Sequence, residues 1–347
     1  MNPSITISER KIGLDYPPFV IAEIGINHNG NLAKAKRMIR DAARAGAECV
    51  KFQGHVLEDE MLEAEARKTI PANSKVSIWE VMERSALSET QERELKRYTE
   101  RFGMIFLSTP FSRAAANRLQ KIGVKAFKIG SGECNNYPLV EHVARFGKPM
   151  IVSTGMNDIP SIKKTVAILR KHKVPFVLLH CTNMYPTPWN RVYLQAVAKL
   201  RKAFPDTVVG LSNHSKGPWA ALGAVALGAS VLERHFTSDR TWKGEDILVS
   251  MDPQELKMLI TGSRAIWESR GEHKGPLKEE QPTIDFAFAS VVTIAPVKKG
   301  EKFTMENLWV KRPGTGQIRA EGFKRILGRR ARRDIPKDTQ LRWNHVK

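Results

Sequence analysis

His214 and His235 stand at or just past the ends of two consecutive short apolar runs, Thr207–Ser212 and Ser230–His235. Two imidazoles so placed can share a divalent cation, or can be ordinary hydrogen-bonded core histidines. Glu23, Glu133, Glu233 and Asp246 fall around the same rim of equivalent runs, where carboxylates could add oxygen ligands or serve as general bases. Lys51 and Lys128 end two further runs. A lysine there has a buried stem and must meet a negative charge, either a neighbouring carboxylate or a bound anion. Lys128 leads into Ile129-Gly-Ser-Gly-Glu133, whose glycines let the backbone approach a ligand while Ser131 donates; Ser153-Thr-Gly155 adds more hydroxyl and amide donors. Such a set can cradle a phosphate, the plainer alternative being a tight turn around a structural Lys–Glu pair. Either lysine could instead form a Schiff base with a carbonyl substrate, a chemistry with little use for the histidine pair.

The elements that must position these groups are legible in the apolar pattern. Eight runs, Phe19–Ile24, Ala47–Phe52, Met104–Ser108, Val124–Ile129, Pro149–Thr154, Phe176–Cys181, Thr207–Ser212 and Ser230–His235, are each followed by a helix-like stretch. Continuous Val/Ile/Leu/Phe runs mark parallel strands buried on both faces. Eight strand–helix units make an α/β (β/α)8 TIM barrel, in which chemistry gathers at the C-terminal ends of the strands. Helices are expected over Leu32–Ala45, Ser88–Phe102, Arg113–Lys121, Leu139–Phe146, Ile162–His172, Tyr193–Phe204, Trp219–Leu227 and Pro253–Ser269, with Ser88 and Gln91 forming a capping box. Gly46, Gly103, Gly123 and Gly147 lie where helices should end. Ile5–Ile7 and Lys11–Leu14 read as a hairpin closing the barrel bottom. The long stretch Gly54–Leu87 reads as a flap over the site.

The 347 residues suffice for one barrel and a smaller domain. The expected division is a barrel over 1–269, a polar linker over 270–284 and a small β-rich domain over 285–347. No run reaches the length of a membrane helix, and the N-terminus lacks a secretory pattern. Cys49, Cys134 and Cys181 show no CxxC spacing and read as buried reduced thiols, which suits a cytoplasmic enzyme. The net charge of +20, with 15 Lys/Arg against 6 Asp/Glu in 285–347, fits anionic substrates, a solvated surface or a polyanion partner. Intact carboxylates, histidines and lysines, and no aromatic-basic stacking surface, argue for an enzyme rather than a nucleic-acid-binding barrel. Neither a nucleic-acid nor a membrane partner is expected.

Longer motifs add a resemblance. Ile21-Ala-Glu-Ile-Gly-Ile-Asn-His-Asn-Gly30, Phe127-Lys-Ile-Gly-Ser-Gly-Glu-Cys-Asn-Asn-Tyr137, Ser153-Thr-Gly-Met156, His180-Cys-Thr-Asn-Met-Tyr-Pro-Thr-Pro188, Gly210-Leu-Ser-Asn-His214 and Leu232-Glu-Arg-His-Phe236 closely resemble the N-acetylneuraminate (sialic acid) synthase family, in its bacterial form acting on unphosphorylated N-acetylmannosamine. Asp285-Phe-Ala-Phe-Ala-Ser290 and Trp309-Val-Lys-Arg-Pro-Gly314 look like the antifreeze-like (SAF) domain that ends those enzymes. The resemblance implies condensation of phosphoenolpyruvate with the open-chain aldehyde of N-acetylmannosamine, or of another 2-acetamido hexose on the way to a legionaminic or other nonulosonic acid, with release of phosphate. It also implies a divalent metal, typically manganese with magnesium or cobalt as alternatives, held by His214 and His235. It further gives Glu133 the proton of the attacking water and puts Glu23 at the metal rim, with Glu23, Lys51 and Lys128 as catalytic candidates beside Glu133, and Glu233 as a substrate contact. Lys51, Lys128, Ser131, Ser153 and Asn183 match phosphoenolpyruvate contacts, and Asn73, Tyr185 and Asp246 match sugar-hydroxyl contacts. Arg312, with Phe288 nearby, matches an SAF-domain arginine that serves the partner's barrel in a domain-swapped homodimer. Two positions depart from the expected pattern: Phe52, where a histidine is expected, and Trp242-Lys-Gly-Glu245 before Asp246, bulkier and more charged than the usual Pro/Gly-rich approach.

Overall fold

A computed structural model describes residues 2–347. The chain begins with an antiparallel hairpin, β1 (Ser4–Ile7) and β2 (Arg10–Gly13). Eight parallel strands follow: β3 (Phe19–Gly25), β4 (Cys49–Gly54), β5 (Ile105–Pro110), β6 (Phe127–Ile129), β7 (Met150–Ser153), β8 (Phe176–Cys181), β9 (Val208–Asn213) and β10 (Val231–His235). They pair in the order β5-β4-β3-β10-β9-β8-β7-β6, and β5 and β6 lie alongside each other, so the sheet wraps round on itself.

Alternation along each strand divides the core in two. Ile21, Cys49, Leu107, Ile151, Leu179 and Val231 pack together inside the ring, where Ile5, Ile7 and Ile12 of the hairpin join them. The hairpin therefore plugs the bottom, as its alternating pattern predicts. Val20, Ala22, Val50, Phe106 and Val152 face the other way and pack against helix residues such as Met38, Leu95, Leu119 and Leu200. A strand buried on both faces has no polar face to show, which is why these segments read as unbroken apolar runs.

Helices follow the strands at Leu32–Arg44, Glu89–Glu100, Arg113–Ile122, Tyr137–Ala144, Ile159–Lys171, Gln195–Ala203, Trp219–Ala226 and Pro253–Glu268. Asn31, Ser88, Ser112, Asp158 and Asp252 cap five of them by accepting backbone N–H groups through their side chains, and the Ser88/Gln91 box is present. Gly46, Gly103, Gly123 and Gly147 have φ of 92, 71, 82 and 69°, the left-handed conformation that ends a helix at little cost.

Two segments differ from expectation. Gly54–Leu87 is no plain flap: it holds short helices at Leu57–Glu60, Glu63–Ala66 and Ile78–Ser85, the last begun by a Ser77/Glu80 capping box. It is tied down at both ends. Asp59 accepts the Ala114 N–H at 2.6 Å, and Arg84 pairs with Glu245. The expected linker is also partly ordered, with a 3-10 turn at Lys278–Glu280 and a helix at Gln281–Ala287 carrying Pro282 in its first turn.

The chain forms two compact units, 1–271 and 272–347. In the second, β11 (Ser290–Thr293) pairs antiparallel with β12 (Leu308–Lys311). Val291, Phe303, Leu308, Ile326, Ile335 and Leu341 make its own core. Near Ala331–Ile335 the pairing consists of isolated bridges, Ala331 with Val346 and Ile335 with Val297. Cys49, Cys134 and Cys181 are free and buried. Among the described residues, no helix is long and apolar enough to cross a membrane.

Candidate active site

The strand ends bring two lysines and two carboxylates together. Lys51 of β4 lies 2.8 Å from Glu23 Oε2 and 3.7 Å from Glu233 Oε1, and it donates to Thr109 Oγ1 at 3.0 Å. Lys128 of β6 stands 3.7 Å from the same Glu233 oxygen. All four side chains are buried. Burial alone would raise the Glu233 pKa, but Lys128 and Lys51 together hold it below the usual carboxylate range. Burial lifts Glu23 to about 7 despite Lys51, so Glu23 is the more readily protonated of the two. Burial also depresses Lys128, which has the weaker share of compensating charge. An ammonium lacking a full countercharge favours an incoming anion.

Around Lys128 the donors of a cradle converge. Its ammonium donates to Ser153 Oγ at 2.7 Å and to the Ile129 carbonyl at 3.0 Å. The Gly155 N–H donates to Ser131 Oγ at 3.1 Å, and Asn157 Nδ2 donates to the Ser131 carbonyl at 3.0 Å. Asn183 Oδ1 is buried without a partner and lies so close to Gly155 that a Cβ there would overlap it. A Cβ at Gly130 would likewise collide with Glu133 Oε2. Glu133 is held at about 7, chiefly by burial, and its Oε2 has no partner.

His235, two residues beyond Glu233 on β10, forms a pair with His214, with ring centroids 5.4 Å apart. His214 Nδ1 lies 3.1 Å from the Thr182 carbonyl, so it carries the proton and leaves Nε2 with the lone pair. Burial drives both imidazoles down to about 3, which keeps them neutral, the state in which histidine ligates a metal. His235 Nδ1 is buried without a partner, 3.6 Å from Asp246 Oδ2. Tyr185 stacks on His214 at 4.0 Å. Burial raises Asp246 to about 7. No group of three or more His, Cys, Asp or Glu side chains forms a cation cage among the described residues. The donor set that exists, two neutral imidazoles with one unpartnered buried nitrogen, fits a divalent ion that keeps open positions for substrate oxygens.

The remaining expected site residues fall elsewhere. Asn73 is exposed on the segment after β4, where its Nδ2 donates to the Glu245 carbonyl at 3.3 Å, one residue from Asp246. Phe288 and Arg312 lie in the small unit, Arg312 against Phe286 and Phe288 under Arg319. Some contributors carry no sequence signal of their own. Gln53, near the end of β4, donates to Glu23 Oε1 at 3.1 Å. His55, buried and stacked on Phe111 at 4.8 Å, lies 3.3 Å from Gln53 Oε1 and 2.9 Å from Glu60. Only its position two residues beyond Gln53 could have flagged it.

A parallel eight-stranded barrel with cations, carboxylates and neutral imidazoles at one rim defines an enzyme built for anionic substrates. The NeuB family model matches residues 38–275 and the SAF domain model matches residues 288–347. The chain belongs to the NeuB family, and is an enzyme of the phosphoenolpyruvate-dependent, C–C bond-forming transferase class. It is 38% identical over 332 residues to the N,N'-diacetyllegionaminic acid synthase of Campylobacter jejuni, covering 93% of this chain and 98% of that protein. It is 39% identical over 310 residues to the N-acetylneuraminate-9-phosphate synthase of Homo sapiens, covering 87% and 85%. The N-acetylneuraminic acid synthetase structure from Leptospira borgpetersenii superposes with a TM-score of 0.75 at 35% identity, over 82% of this chain and 96% of that one. Identity is level between relatives named for different sugars, so the acceptor must be read from the site.

Proposed function

We propose that the protein condenses phosphoenolpyruvate with the open-chain aldehyde of an N-acetylmannosamine-type sugar, giving a sialic-acid-type keto acid and inorganic phosphate. The observation that carries this reading is that Lys128, bound to Ser153 Oγ, stands 3.7 Å from Glu233, which shares strand β10 with His235 of the histidine pair. One side suits a phosphorylated carboxylate and the other a carbonyl oxygen. Lys51, Lys128, Ser131, Ser153 and Asn183 hold phosphoenolpyruvate and orient its C3 towards the aldehyde carbon. His214 and His235 would hold a divalent cation, manganese by preference, which supplies Lewis-acid polarisation of the aldehyde oxygen when bound. A bond forms between C3 and the aldehyde carbon, water adds at C2, and cleavage of the C2–O bond releases phosphate. Glu133, unpartnered and held near neutrality, takes the proton of that water. Tyr185, Asp246 and Asn73 position the sugar hydroxyls, Glu23 acts at the metal rim, Glu233 contacts substrate, and Phe288 and Arg312 serve the site of a second copy in a homodimer. The buried, unpaired thiols suit a reducing cytoplasm.

The identity to a legionaminic acid synthase favours a second acceptor, a differently substituted 2-acetamido hexose handled by the same chemistry. A phosphate-release screen over several 2-acetamido hexoses with phosphoenolpyruvate and Mn²⁺, with the keto acid identified by mass spectrometry, tests both. Release that needs both substrates supports the reaction. Release from phosphoenolpyruvate alone, or none with any sugar, overturns it.

A further inference from the structure

His55 is only 2% exposed, and no step of the condensation uses it. It stands just past the end of β4, the strand that carries Lys51 and Gln53. Its ring stacks on Phe111 with centroids 4.8 Å and planes 11° apart. Stacking alone would suit any flat ring, but both nitrogens of this one are engaged. Nδ1 lies 2.9 Å from Glu60 Oε2 and 3.2 Å from Glu60 Oε1, and Nε2 lies 3.3 Å from Gln53 Oε1. Each nitrogen therefore faces an acceptor.

The direction of the Gln53 amide follows from its other end. Its Nε2 donates to Glu23 Oε1 at 3.1 Å, so its oxygen is the atom left facing His55. Turned over, the amide would set its oxygen against the Glu23 carboxylate and its N–H against the imidazole. His55 Nε2 must then carry the proton that it donates to Gln53. On the Nδ1 side one proton is shared with Glu60, and the ring keeps the same place whether imidazole or carboxyl holds it. Glu60 is anchored in turn. It ends the short helix Leu57–Glu60, whose Asp59 accepts the Ala114 N–H at 2.6 Å. The far end of this line of contacts reaches the catalytic rim. Lys51 lies 2.8 Å from Glu23 Oε2. A Cβ at Gly25 would come within 3.2 Å of Glu23 Oε1, 3.3 Å of Gln53 Nε2 and 3.5 Å of His235 Cε1, so all three converge on the space which that glycine leaves open.

We propose that His55 is a positioning residue of the condensation: held by Glu60, it donates through Nε2 to the Gln53 amide and so fixes the Glu23 carboxylate beside His235 and Lys51. This assignment rests on the condensation proposed above and adds a support behind that same site. A carboxylate at a reacting centre must keep one orientation while bonds form. Groups behind it that set the orientation act on rate more than on substrate binding. The short helix Leu57–Glu60 thereby becomes part of the support of the catalytic rim, through Glu60 and His55.

Two substitutions of equal length separate the donor from the packing. His55→Gln and His55→Met both lose the ring, and only glutamine can donate to Gln53. His55→Met should lower kcat about 10–100-fold with KM for phosphoenolpyruvate within about threefold of the parent, and His55→Gln should recover most of that loss. In a Gln53→Ala background, His55→Met should lower kcat no further, because the residue it acts through is gone. Equal kcat in the two His55 variants, or an undiminished effect without Gln53, overturns the assignment. A second measurement does not depend on turnover. In ¹⁵N-histidine NMR of the parent protein His55 Nε2 should be protonated; an unprotonated Nε2 overturns the assignment, and this reading decides should His55→Met fail to fold. If the parent protein forms no keto acid from phosphoenolpyruvate, Mn²⁺ and any 2-acetamido hexose, the condensation is overturned, and the NMR reading judges the His55–Gln53 contact by itself.

Discussion

Glu133 differs from the other carboxylates of the site. Glu23 and Glu233 lie within ion-pair distance of lysines, whereas Glu133 has no such lysine among the described residues, and burial raises its pKa to about 7. A general base must be ionised, so kcat/KM should rise with pH through about 7 and level off above it. A rate independent of pH from about 5.5 to 8.5 would remove Glu133 from that role. Glu133→Gln keeps the shape and loses the base. We expect it to bind phosphoenolpyruvate in calorimetry while kcat falls ~10²–10⁴-fold. For the histidine pair, His214→Ala or His235→Ala should lose Mn²⁺ binding by calorimetry and at least ~10²-fold in kcat. Full activity in excess chelator would show that the imidazoles serve another purpose. Much of this residue set was readable because a charged or imidazole side chain ending an apolar strand is conspicuous. His55 was not, since its meaning lies in burial and in its contacts with Gln53 and Glu60.

At the scale of elements, the strands were legible for a physical reason. Burial on both faces removes the alternation that half-exposed strands show, leaving runs such as Phe19–Ile24 that no surface segment imitates. The segment 54–87 was not legible as helices because Leu57–Glu60 and Glu63–Ala66 are single turns, too short for a 3.6-residue period to show. Its clearest helix signal is Ser77 followed by Glu80 at the start of Ile78–Ser85. The helix Gln281–Ala287 was hidden likewise, inside a polar stretch resembling a linker. The Ser77 box has a measurable consequence. Its hydroxyl accepts the Glu80 N–H at 3.3 Å, and the Glu80 carboxylate accepts the Ser77 N–H at 3.0 Å. Ser77→Ala should lower stability by about 1 kcal/mol in urea unfolding, with Ser77→Gly nearer the parent protein. An unchanged midpoint for Ser77→Ala would mean that tertiary ties such as Arg84–Glu245 alone hold the helix. The cradle makes a second element-level test. Gly155 must lack a Cβ because Asn183 occupies the space, so Gly155→Ala should raise KM for phosphoenolpyruvate, and a normal KM would place the phosphate elsewhere.

At the scale of the whole molecule, the small unit is a compact body with its own core. It is strongly basic and holds Arg312 next to Pro313 and Gly314, with the Gly314 N–H donating to the Asp285 carbonyl at 2.7 Å. That turn presents a guanidinium whose planar donors suit an amide oxygen or a sugar hydroxyl. Membership of the NeuB family with an SAF domain motivates the proposal that Arg312 completes the barrel site of a second copy. In a two-fold dimer such an exchange is reciprocal, so each site draws on both chains. Two inactive proteins should then repair each other. Glu133→Gln supplies an intact Arg312, and Arg312→Ala supplies an intact barrel. After dissociation and reassociation, a heterodimer has one site with neither change and one with both, so it should recover up to about half the activity of a parent dimer. Mixing without dissociation should recover nothing at first and then gain activity at the rate of subunit exchange. If exchange is demonstrated by mass spectrometry and activity does not return, each chain completes its own site and Arg312 belongs to the barrel of its own polypeptide or to none.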